Sequence, residues 1–391
     1  MNQFLYIPSF DTAVAKNAGK KNFLLKDGTP WRFWSDAYPE KYRWKAYLTT
    51  AGHNYRKAEY TKQFDFPEDM LIFGDSGGYQ ICSGILEWHT DLRKTMFEWL
   101  EGNSTVAMNL DVPPRMKWSG KFQLSLEISK ENFKYFADRQ TGKTEFLNII
   151  QGSDYTKYST WYKQVKELPF SGWSIGGAGG SVMSVLAGLT VLLENGEIDD
   201  ESNKWLHILG ASGIVDFLVF AKIQQCINRR NSKLTVTTDS STPSRSTAYG
   251  YFYSGFDMKR AVFRYFQAPK KGSEIHVDLA SFPRITEIDD RIWDTYTIDE
   301  FIQWKQDHYA WLVSRNFAVF LDCYRVCIEV VNTDPFITQQ MIPSGVFNVL
   351  QSIDELFNSA NPYATLMKYK DLYINCSRID FTSPDISTDF F

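Results

Sequence analysis

Through its first 240 residues the chain alternates two kinds of hydrophobic pattern. Short apolar runs rich in β-branched and aromatic residues recur as FLYI (4–7), AYLTT (46–50), MLIFGD (70–75), VAMNLD (106–111), FLNIIQG (146–152), WSIGG (173–177), LHILG (206–210) and LTVTTD (234–239). Runs of this length read as strands buried on both faces, as in a parallel sheet. Between most of them lie segments with a helical apolar period: YSTWYKQVKEL (158–168), VMSVLAGLTVLLENG (182–196) and GIVDFLVFAKIQQCINR (213–229). The closing Gly or Asn marks a helix end.

Repeated strand and helix predict an α/β fold. Eight strands with helical crossovers fit a (β/α)8 TIM-type barrel, although a doubly wound sheet gives a similar string. From about residue 266 the pattern changes to long helical segments, IDEFIQWKQDHYAWLVSRNFAVFLDCYRVCIEVV (298–331) and SGVFNVLQSIDELFNSA (344–360). The expected organisation is a barrel over residues 1–265 and a mainly helical C-terminal region, 266–391, packed on it. No fixed-period repeat and no low-complexity tract interrupts it.

Composition narrows the class. With 43% hydrophobic and 23% charged residues among 391, the chain has the make-up of a water-soluble globular protein. It holds no run of about 18 apolar residues of the kind that spans a membrane. The opening MNQFLYIPSFDTAVAK lacks the basic-then-apolar signal pattern, so a cytoplasmic protein is expected. Five scattered cysteines lack the short paired spacings of a disulfide framework or a zinc knot. A net charge of −4 argues against a uniformly basic nucleic-acid binder. Basic clusters do occur at AGKKNFLLK (18–26), NRRNSK (228–233) and MKRAVFRYFQAPKK (258–271), so a polyanion would dock on one face.

The candidate chemistry lies at the strand ends: Asp75, Asp111, Gln151, Gly176 with Gly177, Gly210 and Asp239. In a barrel these positions meet at the C-terminal mouth, where active sites sit. Taken singly, each has a plain explanation as a turn aspartate or a strand-terminating glycine. Together they are harder to dismiss, because neighbouring buried carboxylates are costly unless they serve a ligand. Carboxylates and an amide suit the amino, imide and carbonyl edges of a flat heterocycle such as guanine. In GDSGGYQ (74–80) the glycines are expected to clear room for that ligand against the backbone. Tyr79 would either stack on the ring or serve as a core aromatic.

In order, GDSGGYQ, NLDVPP, IIQGSDY, SIGGAGG, HILGASG and TTDSSTPSR resemble the successive motifs of the tRNA-guanine transglycosylase superfamily over roughly residues 40–250. The resemblance implies a (β/α)8 barrel that exchanges guanine in a nucleic acid for a 7-deazaguanine base through a covalent enzyme–sugar intermediate. It implies Asp239 as the nucleophile at C1′ and Asp75 as the second catalytic aspartate, which handles the proton of the leaving and entering base. Asp111 and Gln151 match the readers of the base edge. Gly177 and Ala178 match the backbone donors to the base, and Tyr79 with Leu209 the two sides of the stacking slot. No cofactor is implied.

The chain also departs from the tRNA enzymes. Their zinc site of three close cysteines and a histidine has no counterpart at that spacing. The nearest pair, Cys323 and Cys327, lies at i and i+4 in an apolar helical run, with His308 upstream, and reads as core thiols. After Arg245 the chain continues STAYGYFYSG in place of the family's further Arg and Asn-Gly. These departures are similar to the phage and bacterial DNA-guanine transglycosylase branch, which implies DNA and a preQ0-type base as partners, and the host cytoplasm if the chain is phage-encoded. Arg245, Lys259, Arg260 and Arg264 are the expected phosphate contacts, among aromatics able to stack flipped bases or to pack between barrel and appendage. A zinc-less enzyme acting on tRNA and a non-catalytic paralogue acting as a binding subunit are the competing readings.

Overall fold

The computed structural model describes residues 2–9, 29–177, 181–267 and 309–376. Each of the eight apolar runs forms a strand: β1 (Leu5–Pro8), β2 (Ala46–Thr50), β3 (Leu71–Asp75), β4 (Val106–Met108), β5 (Glu145–Gln151), β6 (Gly172–Gly176), β7 (Trp205–Ile208) and β8 (Thr235–Ser240). They make one sheet in the order β1-β8-β7-β6-β5-β4-β3-β2, and every ladder is parallel. With strand 1 paired to strand 8 and helices between the strands, this is a nearly closed TIM-type α/β barrel, not a doubly wound sheet. The remaining seam, β1 to β2, is bridged by a side chain, Trp44 Nε1 donating to the Tyr6 carbonyl at 2.9 Å.

The crossovers are α1 (Ala51–Asn54) after β2, α2 (Gly78–Ser83) and α3 (Leu92–Asn103) after β3, and α4 (Phe122–Ala137) after β4. They continue with α5 (Tyr155–Val165), α6 (Val182–Glu194), α7 (Ile214–Ile227) and α8 (Thr242–Ala248). Caps fix where two of them start. The Asp154 carboxylate accepts from the Lys157 amide at 3.0 Å to open α5. At α7 the Asp216 carboxylate accepts from the Gly213 amide at 2.8 Å, which satisfies a donor the helix leaves without a partner. In α7 the residues from Ile214 to Gln224 are all buried, because the helix is covered on one side by the barrel and on the other by C-terminal helices.

A two-stranded antiparallel hairpin, β9 (Tyr251–Asp257) and β10 (Val262–Gln267), follows α8. It is the one element within the described residues that the apolar pattern does not announce as strands. The chain then continues as α9 (Tyr309–Asn332), α10 (Pro335–Met341), α11 (Ser344–Asn358), α12 (Pro362–Lys368) and α13 (Lys370–Cys376). The part of the expected helix over 298–308 lies outside the described residues. Helix α9 packs along α7, α8 and β9. Its Phe317, Phe320 and Tyr324 meet Tyr6 of β1 and Phe4 just before it, and the Tyr324 hydroxyl donates to the Phe4 carbonyl. It therefore fills the barrel wall outside β1 and β8. No described helix is long and apolar enough to cross a membrane.

Candidate active site

The strand-end residues do converge on one mouth, each placed by a local device. Asp75 is the last residue of β3. Its Oδ2 accepts from the Thr50 hydroxyl at 3.0 Å, and its Oδ1 accepts from the Gly77 amide at 3.2 Å. Thr50 ends β2 and faces Asp75 in the parallel register. Burial pushes the Asp75 carboxyl above the usual carboxylate range, against the two hydrogen bonds, and the nearby Asp239 charge adds to the rise.

Asp111 lies three residues beyond the end of β4, since the run read as strand to residue 111 pairs only through Met108. Pro113 and Pro114 follow and have no amide to continue a ladder. The intervening loop is held by side chains instead: Ser76 Oγ donates to the Asn109 carbonyl at 2.9 Å, Asn132 Nδ2 to the Leu110 carbonyl at 3.0 Å, and the Val112 amide to Ser129 Oγ at 2.9 Å. Gln151, the last residue of β5, donates from Nε2 to Asp111 Oδ2 at 2.6 Å. Burial pushes the Asp111 carboxyl up to about 7, opposed by the Gln151 hydrogen bond and helped by the charge of Asp75. Three groups thus share one electrostatic neighbourhood.

The glycines of GDSGGYQ have a different job from the one expected. A Cβ on Gly77, where φ is +96°, would lie 2.7 Å from Gly52 Cα, and one on Gly78 would lie 2.5 Å from Asp111 Oδ1. The room they leave is occupied by the protein: the β3–α2 turn closes onto α1 and onto the Asp111 carboxylate. At the end of β6 the same holds, because a Cβ on Gly176 would meet Gln151 Nε2 at 2.3 Å and one on Gly177 the Gly152 carbonyl at 2.4 Å. The glycines let Asp111 and Gln151 sit where they do. Ala178 lies outside the described residues.

Across the mouth, Asp239 sits near the end of β8, and the Gly210 amide donates to its Oδ1 at 2.8 Å. Gly210 has φ +70° and no neighbour within 4 Å of where a Cβ would stand, so this turn is open to solvent. His207, wholly buried on β7, places Nε2 3.3 Å from the same Oδ1. The strand-end rule passes over His207 and Thr50, since one is interior and the other looks like an ordinary β-branched strand residue. Tyr79 is 48% exposed in the first turn of α2, not a core aromatic, with the Arg115 guanidinium 6.0 Å from its ring centroid. Leu209 is half-buried just after β7, on the strand diametrically opposite β3 in the barrel order.

No known family model matches the chain, and no curated protein sequence matches it.

The basic candidates lie to one side, along α8 and the hairpin. Arg245 is exposed on α8. Lys259 and Arg260 are exposed at the hairpin turn, where the Arg260 amide donates to Asp257 Oδ1 at 3.2 Å. Arg264 is paired with Asp257 Oδ2 at 2.9 Å and remains more than half exposed. Two of the aromatics between them pack inward, while Tyr249 stays exposed: Phe263 stacks on Phe320 with ring centroids 4.4 Å apart, and Tyr253 meets the same ring at 5.2 Å. That aromatic layer joins hairpin to α9. Cys323 and Cys327 lie one turn apart and fully buried, with sulfurs 4.0 Å apart, as packed core thiols. Among the described residues no group of three or more His, Cys, Asp and Glu is disposed to hold a metal ion.

Proposed function

We propose that the chain is a DNA-guanine transglycosylase, exchanging guanine in DNA for a 7-deazaguanine base of the preQ0 type through a covalent aspartyl-glycosyl intermediate. The observation that carries the reading is the contrast between the two mouth aspartates. Asp239 has its contacts on one oxygen, with Oδ2 left to react, whereas burial raises the Asp75 carboxyl and so favours its protonated form. Two carboxyl groups in unlike environments are the division of labour that retaining glycosyl transfer requires.

In the first half-reaction Asp239 Oδ2 forms a bond to C1′ as the C1′–N9 bond breaks. The electron pair leaves with guanine, and the Asp75 proton neutralises it. In the second, the incoming 7-deazaguanine gives its N9 proton to Asp75. N9 then bonds to C1′, and the ester electrons return to Asp239. Asp111 and Gln151 read the amino and imide edge of the base, and Tyr79 covers its face. The altered sequence after Arg245 favours DNA over tRNA, and the flanking cations supply phosphate contacts. The target base must leave the stack to present C1′.

Incubation with guanine-labelled DNA or tRNA and candidate 7-deazaguanines tests the reading, with denaturing electrophoresis and peptide mapping of the trapped adduct. Asp239→Ala should abolish exchange and adduct alike, while Asp75→Asn should slow turnover by about 10²–10⁴-fold. An adduct mapped to Asp75 would reverse the two roles, and equal exchange into tRNA would refute the DNA assignment.

A further inference from the structure

Beneath Asp239 a polar chain runs into the barrel interior. His207 and Thr237 are both wholly buried, on adjacent strands and paired in the parallel register. His207 Nδ1 lies 2.8 Å from the Thr237 hydroxyl oxygen. Its Nε2 is 3.3 Å from Asp239 Oδ1 and has no aligned hydrogen-bond partner. The ring is fixed from the side by Phe73, whose centroid is 5.3 Å away at 31°. A buried ring nitrogen without an aligned partner is costly, and this one is aimed at a carboxylate.

The tautomer follows from chemistry. An ionised carboxylate is only an acceptor, so a lone pair on Nε2 facing Oδ1 would be repelled and a proton there attracted. A neutral imidazole with its proton on Nε2 has its lone pair on Nδ1, and the Thr237 hydroxyl can donate to it. The carboxylate then sets the tautomer, the threonine hydroxyl turns to complement it, and histidine delivers the donor. Thr237, with no accessible surface, is not a nucleophile in this arrangement.

We infer that His207, anchored at Nδ1 by the Thr237 hydroxyl and with its Nε2–H toward the carboxylate, is the positioning residue for Asp239. Together with the Gly210 amide it engages Oδ1 and so assigns the attack on C1′ to Oδ2. This deepens the transglycosylase reading and rests on it. In the glycosyl ester Oδ1 is the carbonyl oxygen. As the Oδ2–C1′ bond breaks, the electron pair returns to the carboxylate, and both donors stand where negative charge is restored.

The test combines kinetics with a spectroscopic signature. Single-turnover adduct formation on guanine-containing DNA should fall about 10²-fold in His207→Leu, with DNA affinity and the KM for the incoming base unchanged. His207→Gln, which keeps an N–H near the Nε2 position, should recover part of that loss, a rescue that a mere packing role does not predict. Thr237→Val keeps the volume and removes the hydroxyl, and should slow adduct formation about 10-fold. In the unaltered protein, ¹⁵N NMR should show His207 as the Nε2–H tautomer. The NMR needs no turnover and covers the case in which His207→Leu fails to fold. An Nδ1–H tautomer in the unaltered protein, or full adduct rates in a folded His207→Leu, would overturn the positioning role. An unaltered chain inactive on both DNA and tRNA would instead overturn the transglycosylase reading.

Discussion

Replacing Asp111 by asparagine should make the protein more stable and less active, by an amount the burial of Asp111 sets. The carboxyl titrates at about 7 in the folded chain and near 3.8 when unfolded. Between those values the native state keeps a proton that the unfolded chain has lost, so stability falls as pH rises. The contribution is complete below about pH 4 and gone once the pH has passed through 7. At about 1.4 kcal/mol per pH unit, the window corresponds to roughly 4 kcal/mol. Asp111→Asn is neutral throughout and can still accept from Gln151 Nε2, so it lacks this slope. Burial also raises the Asp75 and Asp216 carboxyls, which gives the same sign, and the difference between the two proteins isolates Asp111. Urea midpoints at matched m value, measured from about pH 3 to 8.5, should coincide at the acid end and diverge by up to about 4 kcal/mol at the alkaline end, the variant being the more stable. Base exchange should drop in the same variant, because the edge-reading carboxylate has gone. Parallel pH profiles, or a variant less stable at pH 8, would refute the assignment of the strain to a buried ionising Asp111.

Gly78→Ala should push the Asp111 carboxylate off Gln151, because the new methyl meets Oδ1 at 2.5 Å and the Asp111 carbonyl at 3.1 Å. A loss of about 1–3 kcal/mol in urea melts with a raised KM for the base is expected, and an unchanged midpoint would contradict it. Phe320→Ala removes the ring on which Phe263 and Tyr253 rest and should cost about 3–5 kcal/mol, with faster hydrogen exchange confined first to β9 and β10. Exchange on DNA should weaken as salt rises, and Arg245→Ala or Lys259→Ala should each lower the logarithmic salt slope by about 1 if it contacts a phosphate.

The strands were readable because a parallel strand covered on both faces must be apolar along its whole length; their closure was not, since a doubly wound sheet gives a similar string and only the pairing of Leu5 with Thr237 excludes it. The strand-end carboxylates were readable for the same reason: a charge closing an apolar run stands out. What the pattern hides is set by neighbours distant in sequence. Gly77 looks like a ligand-clearing glycine until Gly52 is found against it, and Gly78 until Asp111 is. His207 sits mid-strand among apolar residues, and only its approach to Asp239 gives it a role. In the hairpin, Tyr253 and Phe263 face a ring on α9, while Ser254, Gly255 and Asp257 break the apolar run, so neither strand resembles the eight of the barrel.

Helix α9 has a consequence for how the molecule is made. Synthesis delivers β1 well before its partner β8, which ends at Ser240, and the helix that completes the cover that α7 begins over Phe4 and Tyr6 follows from Tyr309. Until α9 emerges, Phe4 and Tyr6 have Phe217 and Phe220 of α7 beside them but lack Phe317, Phe320 and Tyr324, and this part of the wall stays unsealed. Contacts spanning some 300 positions, such as Tyr324 with Phe4, make this a slow-folding topology in which the aromatic seam around β1 closes last. A ribosome stalled just past β8 would therefore carry Tyr6 and Phe217 packed on each other but still uncovered on the side that Phe320 takes, a surface for chaperones to meet.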